Sequence, residues 1–435
     1  MTIIMLHSNL SVNEKGHLTL CGADTVALAE KYGTPLYLLD EDRIREKCRT
    51  YHRAMKTYFT PESRPLYASK ALSFRGIYRL AKEEGMAVDV VSPGELYNAL
   101  SAGMNAADIC FHGNAKTVAD IRYAMDAGIG LFAADNAVEL DRISAYAKEK
   151  GMTQRVILRI TPGIDPHTFD AVNTGKVDSK FGSAIATNQA EEIFCYARSL
   201  ENIEVAGFHC HIGSQIFDEK PFCDAADLML TFMVTLRDKY GYIAQVLNLG
   251  GGIGVRYTEA DPYIDIDDTL RLVGSHLHAI CEETGYPMPQ ILMEPGRSLV
   301  ADAGVTLYEV QNVKTITGYK SYAAIDGGMT DNPRYALYQS RYTVINANRA
   351  KDEADFTCTV AGRCCESGDL IGENLTMARP AVGEFLAVLV TGAYNYAMSS
   401  NYNCITKPPI VMIAGGEDKL AVRRETFEDM TACQM

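Results

Sequence analysis

Residues 64–72 read Arg64-Pro65-Leu66-Tyr67-Ala68-Ser69-Lys70-Ala71-Leu72, and one lysine stands where a short apolar run gives way to a helix-like segment. The run Leu66–Ser69 has the length and apolar character of a buried strand. A helical pattern follows at Phe74–Glu84, and Gly85 is placed to end that helix. A strand that leads directly into a helix is the repeating unit of parallel α/β folds, so this stretch predicts such a fold.

The same unit recurs along the chain. Strands are predicted at Leu66–Ser69, Ala87–Val91, Asp108–Phe111, Gly130–Ala133, Val156–Ile160, Val205–Cys210, Gln245–Leu249 and Gln290–Met293. Helices are predicted between them at Phe74–Glu84, Gly94–Ala102, Thr117–Ala127, Asn136–Lys150, Gln189–Leu200, Phe222–Lys239 and Leu270–Glu283. Eight alternations in roughly 230 residues indicate a (β/α)8 barrel of the TIM type. A doubly wound Rossmann sheet competes, but it usually has fewer strands and a glycine fingerprint near its start.

The rhythm changes after about residue 300, where turns rather than helices separate the strands. Strands are predicted there at Val305–Val313, Tyr322–Ile325, Tyr342–Asn346, Phe356–Val360, Phe385–Val390 and Ile410–Ile413, and in the N-terminal segment at Ile3–Leu6 and Leu18–Leu20. We expect a barrel over residues 35–300 and a second, mainly antiparallel β domain from residues 1–34 and 301–435. The long loop Thr161–Gly182 is expected to be functional, as such loops often are.

Composition narrows the range of partners. Of 435 residues, 47% are hydrophobic and 22% are charged, and the formal net charge is −14 at pH 7. Nucleic acids and anionic membranes select basic proteins, so neither is expected as a partner. The chain shows no membrane-length apolar run and no export signal. Twelve cysteines without CxxC pairs indicate reduced thiols and a cytoplasmic protein.

Chemically active residues fall at the ends of the predicted strands. Barrel enzymes of this type build their active sites at the carboxyl ends of the strands. In strand order these ends carry Lys70, Asp89, Arg159, His209 with His211, Gly250–Gly252 and Glu294. Residues far apart in sequence are therefore expected to converge on one rim of the barrel, which is the predicted site.

Three of these features suit pyridoxal-phosphate chemistry. A lysine desolvated in a pocket becomes nucleophilic and can form a Schiff base, whereas a lysine on a surface helix is an ordinary cation. Gly250–Gly252 can bring backbone N–H groups to a phosphate, although a tight turn would equally need glycines. A carboxylate such as Glu294 can keep a pyridine nitrogen protonated, which makes the ring an electron sink. We therefore predict pyridoxal 5′-phosphate as the cofactor.

The two histidines at the sixth strand are interpreted separately. His209 and His211 alternate along a strand and so face opposite ways, which argues against a joint metal site. The sequence shows no third ligand and no HExxH pattern, and no metal is predicted. The imidazole that faces the barrel mouth is expected to lie flat on a cofactor ring. The other is expected to be a hydrogen-bonded core residue.

Longer motifs resemble a known family. They are Tyr67-Ala68-Ser69-Lys70-Ala71, Gly207-Phe208-His209-Cys210-His211-Ile212-Gly213-Ser214-Gln215, Asn248-Leu249-Gly250-Gly251-Gly252, Glu294-Pro295-Gly296-Arg297, Cys365-Glu366-Ser367-Gly368-Asp369 and Gly392-Ala393-Tyr394. Through them the chain resembles the diaminopimelate decarboxylase family, in the alanine-racemase-like, fold-type III group of pyridoxal-phosphate enzymes. The resemblance implies that Lys70 forms the internal aldimine. It implies further cofactor contacts from Asp89, His211 stacked on the ring, Glu294 at the pyridine nitrogen, and Ser214, Gly252, Gly296, Arg297 and Tyr394 around the phosphate.

The resemblance also implies the substrate contacts. These would come from Arg297, Arg334, Tyr338, Tyr394 and Glu366, with Cys365 as the proton donor. Cys365 and Glu366 look like residues that a homodimer contributes across its interface, with Glu366 binding the distal amino group. Arg363-Cys364 precede Cys365 where the family usually has a proline and an aliphatic residue. Two adjacent thiols therefore leave open which one is reactive.

The reaction implied by the resemblance is decarboxylation of meso-2,6-diaminopimelate to L-lysine and CO2, the last step of lysine biosynthesis. A related decarboxylase acting on ornithine, arginine or carboxynorspermidine is the nearest alternative, and Arg334 with the Cys365–Asp369 motif argues against it. A non-catalytic pyridoxal-phosphate carrier would usually lack the β domain. An NAD-dependent dehydrogenase is disfavoured because Val255 occupies the place of the last glycine in the dinucleotide fingerprint.

Overall fold

The computed structural model describes residues 6–164 and 179–435. Most of the predicted strand Ile3–Leu6 and of the long loop Thr161–Gly182 lies outside these residues. The chain forms two compact units, which we call the barrel unit (Lys47–Gly254 and Tyr263–Ser298) and the β unit (Met1–Glu46, Val255–Pro262 and Leu299–Met435).

The secondary-structure elements are numbered in chain order over the described residues. The strands are β1 (Leu10–Val12), β2 (Leu18–Leu20), β3 (Ala23–Asp24), β4 (Leu36–Asp40), β5 (Arg64–Ala68), β6 (Ala87–Val90), β7 (Ile109–Phe111), β8 (Leu131–Ala134), β9 (Gln154–Thr161), β10 (Ser183–Ala184), β11 (Ile203–His209), β12 (Val246–Asn248), β13 (Gln290–Met293), β14 (Gly304–Ile316), β15 (Lys320–Ile325), β16 (Val344–Asn346), β17 (Phe356–Ala361), β18 (Leu370–Met377), β19 (Phe385–Leu389), β20 (Ile410–Ala414) and β21 (Glu417–Val422). The helices are α1 (Thr25–Tyr32), α2 (Glu41–Tyr58), α3 (Arg75–Glu83), α4 (Pro93–Ser101), α5 (Val118–Asp126), α6 (Ala137–Lys150), α7 (Gln189–Ser199), α8 (Lys220–Tyr240), α9 (Ile266–Thr284), α10 (Arg297–Val300), α11 (Arg334–Tyr338) and α12 (Phe427–Thr431).

The barrel unit contains a closed parallel barrel of eight strands. They pair in the order β5-β6-β7-β8-β9-β11-β12-β13, and β13 returns to β5 through Leu292 opposite Arg64. Each strand contributes one residue to a buried interior cluster: Leu66, Ala87, Cys110, Ala133, Ile157, Ala206, Val246 and Leu292. Small and branched residues interdigitate in such an interior, so it is a packed core rather than a pore. The predicted (β/α)8 barrel is confirmed.

Helix ends in the barrel unit follow the sequence signals. The Ser92 side chain caps α4 by accepting from the Glu95 N–H, with Pro93 in the first helical position. Gly151 ends α6 at φ +64°, a left-handed conformation that glycine adopts without steric cost. These short-range signals fix where each helix starts and stops, and so where each βα loop leaves the barrel.

The β unit contains a mixed, mainly antiparallel sheet in the order β18-β17-β15-β14-β4-β20-β21, with β19 paired to β14 and β16. Strand β4 lies in this sheet although the expected range 35–300 would place it in the barrel. All five of its residues are buried, and β14 and β20 flank it on either side. The expectation of strands without intervening helices is wrong at one place, because the short helix α11 lies between β15 and β16.

Two further features of the structure concern the helices and the cysteines. No helix among the described residues combines the length and the apolar character that crossing a membrane requires. All twelve cysteines carry free thiols, and the adjacent Cys364 and Cys365 differ in that the first is buried and the second is exposed.

Candidate active site

Lys70 lies at the carboxyl end of the first barrel strand. It sits in a 3₁₀ turn, Ser69–Ala71, that directly follows β5. The Lys70 side chain is exposed to solvent, so the structure does not show the desolvation that was expected for this lysine. Its positive charge acts on Asp89 and on His211, which places all three on the same rim. Asp89 is fully within β6, and burial raises the pKa of its carboxyl group.

Glu294 is the centre of a buried polar cluster just beyond β13. Its Oε1 accepts from Asn248 Nδ2 at 2.7 Å and lies 3.0 Å from His112 Nε2. Its Oε2 has a longer contact, 3.4 Å, with His209 Nε2. His112 follows β7, and its Nε2 also lies 3.2 Å from Cys110 Sγ and 3.9 Å from Asp89 Oδ1. Neutral and cationic donors thus converge on one carboxylate in the barrel mouth.

The protonation states in this cluster follow from burial and from neighbouring charge. Burial alone would raise the pKa of Glu294, but His112 and His209 hold it well below its usual range. Burial alone would lower the pKa of His112, but Asp89 and Glu294 raise it well above its usual range. Burial lowers the pKa of His209 to about 4. At neutral pH the cluster therefore holds an imidazolium at position 112, a carboxylate at 294 and a neutral imidazole at 209.

His209 and His211 occupy different surroundings, but strand alternation is not the reason. Strand β11 ends at His209, so His211 lies in the loop beyond it and the predicted alternation does not apply. His209 is the hydrogen-bonded core residue, bound to Glu294. His211 is half-buried, and its Nδ1 accepts from the Gly251 N–H at 3.3 Å. Burial, followed by the Lys70 charge, lowers the pKa of His211 and favours its neutral form.

The glycine turn after β12 packs closely against its neighbours. A Cβ on Gly250, which has φ +69°, would lie 2.8 Å from His211 Nδ1. A Cβ on Gly252, at φ +131°, would lie 2.6 Å from the Gly213 carbonyl oxygen. Backbone at these positions can approach other groups only because no side chain is present. The turn therefore brings its backbone to the rim beside His211 and Ser214's loop.

Ser214, Gly296 and Arg297 come together at the same rim. Arg297 begins α10 and is only 5% exposed. Its Nε and Nη2 donate to Ser214 Oγ at 3.2 and 3.1 Å. A Cβ on Gly296 would lie 3.1 Å from the Cβ atoms of Ala68 and Ala71, so glycine lets this loop pass close to the Lys70 turn. A buried guanidinium with backbone N–H groups beside it suits an anion such as a phosphate.

In the β unit, Arg334 is grouped with Tyr338 and Tyr394. The Arg334 guanidinium carbon lies 5.4 Å from the centroid of each tyrosine ring. Arg334 is 7% exposed, its Nη2 donates to Ser340 Oγ at 3.3 Å, and its Nε has no acceptor within the part of the chain that the structure describes. A buried guanidinium costs free energy unless an acceptor meets it, so Arg334 is suited to bind a carboxylate.

Cys365 and Glu366 lie on a turn, Cys364–Asp369, at the start of β18. Both side chains are exposed, whereas Cys364 and Asp369 are buried. The Asp369 carboxylate accepts from the Met329 N–H at 2.6 Å and from the Cys364 N–H at 2.7 Å. The Cys365 N–H donates to Asn403 Oδ1 at 2.9 Å. The turn is therefore fixed from beneath while Cys365 and Glu366 point outward.

Proteins with similar sequences include diaminopimelate decarboxylases from several bacteria. The family model for the "Pyridoxal-dependent decarboxylase, pyridoxal binding domain" matches residues 41–301. The diaminopimelate decarboxylase of Bacillus subtilis (strain 168) is 43% identical over 427 residues, covering 98% of this chain and 97% of that relative. The chain belongs to the diaminopimelate decarboxylase family. The diaminopimelate decarboxylase of Staphylococcus aureus (strain COL) is 39% identical over 419 residues, covering 96% of this chain and 97% of that relative.

Solved structures agree with this family membership. The diaminopimelate decarboxylase of M. jannaschii, in co-complex with L-lysine, has a TM-score of 0.92 and 34% identity and covers 99% of each chain. A lysine/ornithine decarboxylase of Vibrio vulnificus, complexed with putrescine, has a TM-score of 0.75 and 25% identity, covering 89% of this chain and 96% of that one. Both share the fold, and the resemblance to the diaminopimelate enzyme is greater on every measure.

The barrel rim fits pyridoxal phosphate, the cofactor of the family. Glu294 Oε1 already has two short donor contacts, whereas Oε2 has only the 3.4 Å contact with His209. A carboxylate oxygen accepts two hydrogen bonds, so Oε2 can still accept from a protonated pyridine nitrogen. The same rim also carries Lys70, His211, the glycine turn and the pair Ser214–Arg297. These groups offer an amine, a neutral imidazole, backbone N–H groups and a guanidinium, which are chemically suited to an aldehyde, an aromatic ring and a phosphate.

Sequence reasoning missed three residues that organise the site: His112, Asn248 and Asp369. His112 directly follows the predicted strand Asp108–Phe111, so the same strand-end rule that selected Lys70 and Glu294 points to it. Asn248 and Asp369 lie within quoted motifs, but their spacing gives no role. Asn248 contacts Glu294 and Asp369 contacts the Met329 backbone, and each contact joins segments at least 40 residues apart in the chain.

Proposed function

We infer that this chain decarboxylates meso-2,6-diaminopimelate to L-lysine and CO2 with pyridoxal phosphate as cofactor, the last step of lysine biosynthesis. The observation that carries the inference is Glu294, a buried carboxylate with an oxygen left to accept, on the same barrel rim as Lys70. Near-full-length similarity to diaminopimelate decarboxylases supports the substrate.

The barrel unit supplies the cofactor contacts. When bound, pyridoxal phosphate accepts the electron pair left behind by the departing carboxyl group. Lys70 supplies the amine that holds the cofactor aldehyde and gives it up to the substrate amine. His211, kept neutral, would stack on the ring of the bound cofactor, and Asp89 would add a further contact. Glu294 accepts from the ring nitrogen and keeps it protonated, since a buried carboxylate strongly favours a proton on its partner.

The phosphate and the substrate need cations and N–H groups. We propose that the phosphate is held by Ser214, Gly252, the backbone at Gly296 and Arg297, and the Tyr394 hydroxyl. The Arg297 and Arg334 guanidinium groups are proposed to bind the substrate carboxylates, together with Tyr338 and Tyr394. Arg334 has free hydrogen-bonding capacity at Nε for that role. Glu366 is proposed to bind the distal amino group. Arg334 and Glu366 would together recognise the configuration of the distal stereocentre, because one binds its carboxylate and the other its amine.

The remaining step is protonation of the carbon that has lost CO2. Cys365 is the proposed donor because its thiol is exposed, whereas burial raises the pKa of the neighbouring Cys364 to about 12. The Cys364–Asp369 turn is held from beneath, which leaves Cys365 and Glu366 directed away from their own sheet. We propose that they complete the site of a second copy, so the active species is a homodimer. Free thiols on all twelve cysteines support a cytoplasmic location.

The test is product identification by mass spectrometry. The purified protein with pyridoxal phosphate is given meso-diaminopimelate, and parallel samples receive ornithine, arginine or carboxynorspermidine. We expect lysine from diaminopimelate alone. Product only from another amino acid would reassign Arg334 and Glu366, and no product from any substrate with the cofactor bound would overturn the enzymatic proposal. LL-diaminopimelate serves as the stereochemical control, because the distal contacts are expected to reject it.

A further inference from the structure

His112 has no role in the chemistry described so far, yet it is at the centre of the buried charges. Its ring is 3% exposed. Its Nε2 faces Glu294 Oε1 at 3.0 Å, Cys110 Sγ at 3.2 Å and Asp89 Oδ1 at 3.9 Å. The His209 ring meets it edge-on with centroids 4.9 Å apart. One imidazole nitrogen therefore faces two carboxylates from two other strands.

The charges around His112 require a cation at that position. Asp89 is 2% exposed and Glu294 is 7% exposed, so bulk water solvates neither carboxyl group. The neighbours of His112 that titrate are Cys110, Asp89, Glu294 and His209, and its charge also acts on Asp135. Lys70 and Arg159 are further cations acting on Asp89. Of all these groups, only His112 combines a positive charge with a contact of about 3 Å to Glu294.

The contact also determines which Glu294 oxygen is left for the cofactor. His112 and Asn248 both contact Oε1 closely, while His209 Nε2 lies between the two oxygens, 3.3 Å from Oε1 and 3.4 Å from Oε2, and is the partner of Oε2. Each charge-assisted hydrogen bond to a carboxylate stabilises its ionised form and fixes its orientation. Removing the His112 contact would leave Oε1 with only the neutral Asn248 donor and the longer His209 contact, and would let the carboxylate rotate or take up a proton.

We propose that His112 is a positioning residue for decarboxylation. As an imidazolium bound to Oε1, it keeps Glu294 ionised and turns Oε2 towards the place of the cofactor's ring nitrogen. His112 does not contact substrate or cofactor in this proposal; it acts through Glu294. The proposal rests on the proposed function only for its effect on turnover, since the charge on His112 is a property of the folded protein.

The first measurement is the protonation state of His112 by NMR of the holoenzyme labelled at histidine ¹³Cε1. The chain has nine histidines, and the His112 signal is the one missing from His112→Gln. We expect it to remain that of an imidazolium from pH 6 to pH 8, and to lose that character in Glu294→Gln. A signal that titrates at an ordinary midpoint of about 6.5, or that is neutral throughout, would overturn the proposal.

The second measurement separates charge from hydrogen bonding. Glutamine at position 112 can still donate from an atom near the place of Nε2, but it carries no charge. We expect His112→Gln to lower kcat about 10- to 100-fold, the usual scale for a residue that orients a reacting group from behind, with substrate KM changed less than about 3-fold. The pH dependence of the visible absorbance of the bound cofactor should shift as well. Wild-type kcat and absorbance in this variant would contradict the role of the charge.

The matched control is His276→Gln. His276 Nε2 also meets a carboxylate, Asp227 Oδ1 at 2.7 Å, but on the outer helices α8 and α9 of the barrel unit. The same substitution there should leave kcat and cofactor absorbance unchanged. If His112→Gln does not fold, His112→Asn supplies the missing signal and the uncharged side chain instead. A zinc ion bound stoichiometrically by His112, His209 and Glu294, whose ligand atoms lie within 4.8 Å of one another, would also refute the proposed ion pair.

Discussion

The barrel mouth and the Cys364–Asp369 turn each carry chemistry, but they are built in opposite ways. Around Glu294 in the barrel mouth the charged groups themselves are buried, and their partners come from other strands of the same unit. In the turn the chemical groups, Cys365 and Glu366, are exposed, and the buried residue is the anchor Asp369. The first arrangement sets electrostatics before any ligand arrives. The second holds groups ready for something that comes from outside the unit.

The largest effect that tests the barrel side of this comparison comes from Lys70→Ala. Removing the amine that holds the cofactor should lower kcat by at least about 10⁴-fold, since covalent catalysis is lost. The visible absorption band of the bound cofactor should disappear at the same time. Lys148→Ala, an exposed lysine in the last turn of α6, is the control and should behave as wild type. Normal turnover by Lys70→Ala would end the assignment of this lysine.

The two adjacent thiols test the outward-facing side. Cys365→Ala should lower kcat about 100-fold, the size expected when a positioned proton donor is removed. Cys364→Ala should leave kcat near that of wild type and lower the melting temperature instead, because that side chain is buried. Steady-state kinetics and thermal unfolding of both variants distinguish the two roles. A reversed ranking would transfer the proton-donor role to Cys364.

Subunit mixing tests whether the turn completes another copy's site. Lys70→Ala and Cys365→Ala are each nearly inactive, but a mixed dimer would contain one site with both residues intact. Equal mixing after dissociation should restore about a quarter of the wild-type activity, because half the dimers are mixed and each has one good site. Each variant mixed with itself is the control. No recovery in a preparation shown to contain mixed dimers would place both residues in a site made by one chain.

A smaller effect is expected from the anchor. Asp369→Asn leaves only one oxygen to accept where the carboxylate now accepts from both Met329 and Cys364. We expect a loss of about 2 kcal/mol in the free energy of unfolding, since hydrogen bonds to a charged group are lost. Substrate KM should rise several-fold as the turn loosens. Asp352→Asn, an exposed site, is the control for the charge change, and an unchanged KM would mean that Asp369 does not position the turn.

The smallest effect is a dependence of stability on pH. The raised pKa of His112 means that its stabilisation is complete below its unfolded value of about 6.5 and is lost as pH rises through the folded pKa. The lowered pKa of Glu294 means that its stabilisation is present above about 4.3 and is lost as pH falls through the folded pKa. Melting temperatures from pH 5 to pH 10 should therefore show the advantage of wild type over His112→Gln shrinking at the alkaline end. An advantage that grows with pH would contradict the charged state of His112.

Much of the fold could be predicted from local patterns. The eight barrel strands and the helices between them follow apolar runs, caps and terminal glycines, which are short-range signals. Strand β4 could not be found this way, because the short apolar run Leu36–Leu39 has no alternation that would show which sheet the strand joins. Helix α11 was missed because Pro333, which precedes it, reads equally as a turn signal.

The sequence by itself determined the barrel, the family and the residues of the rim, because strand order and motif identity are both properties of the linear chain. Only the tertiary structure decided that His209 binds Glu294, that His211 lies beyond its strand, and that His112 lies 3.0 Å from the Glu294 carboxylate. Ionisation depends on burial and on the distance to other charges, and neither is encoded in spacing along the sequence. The roles of Asn248 and Asp369 became visible only in the folded protein, since each joins segments that folding brings together.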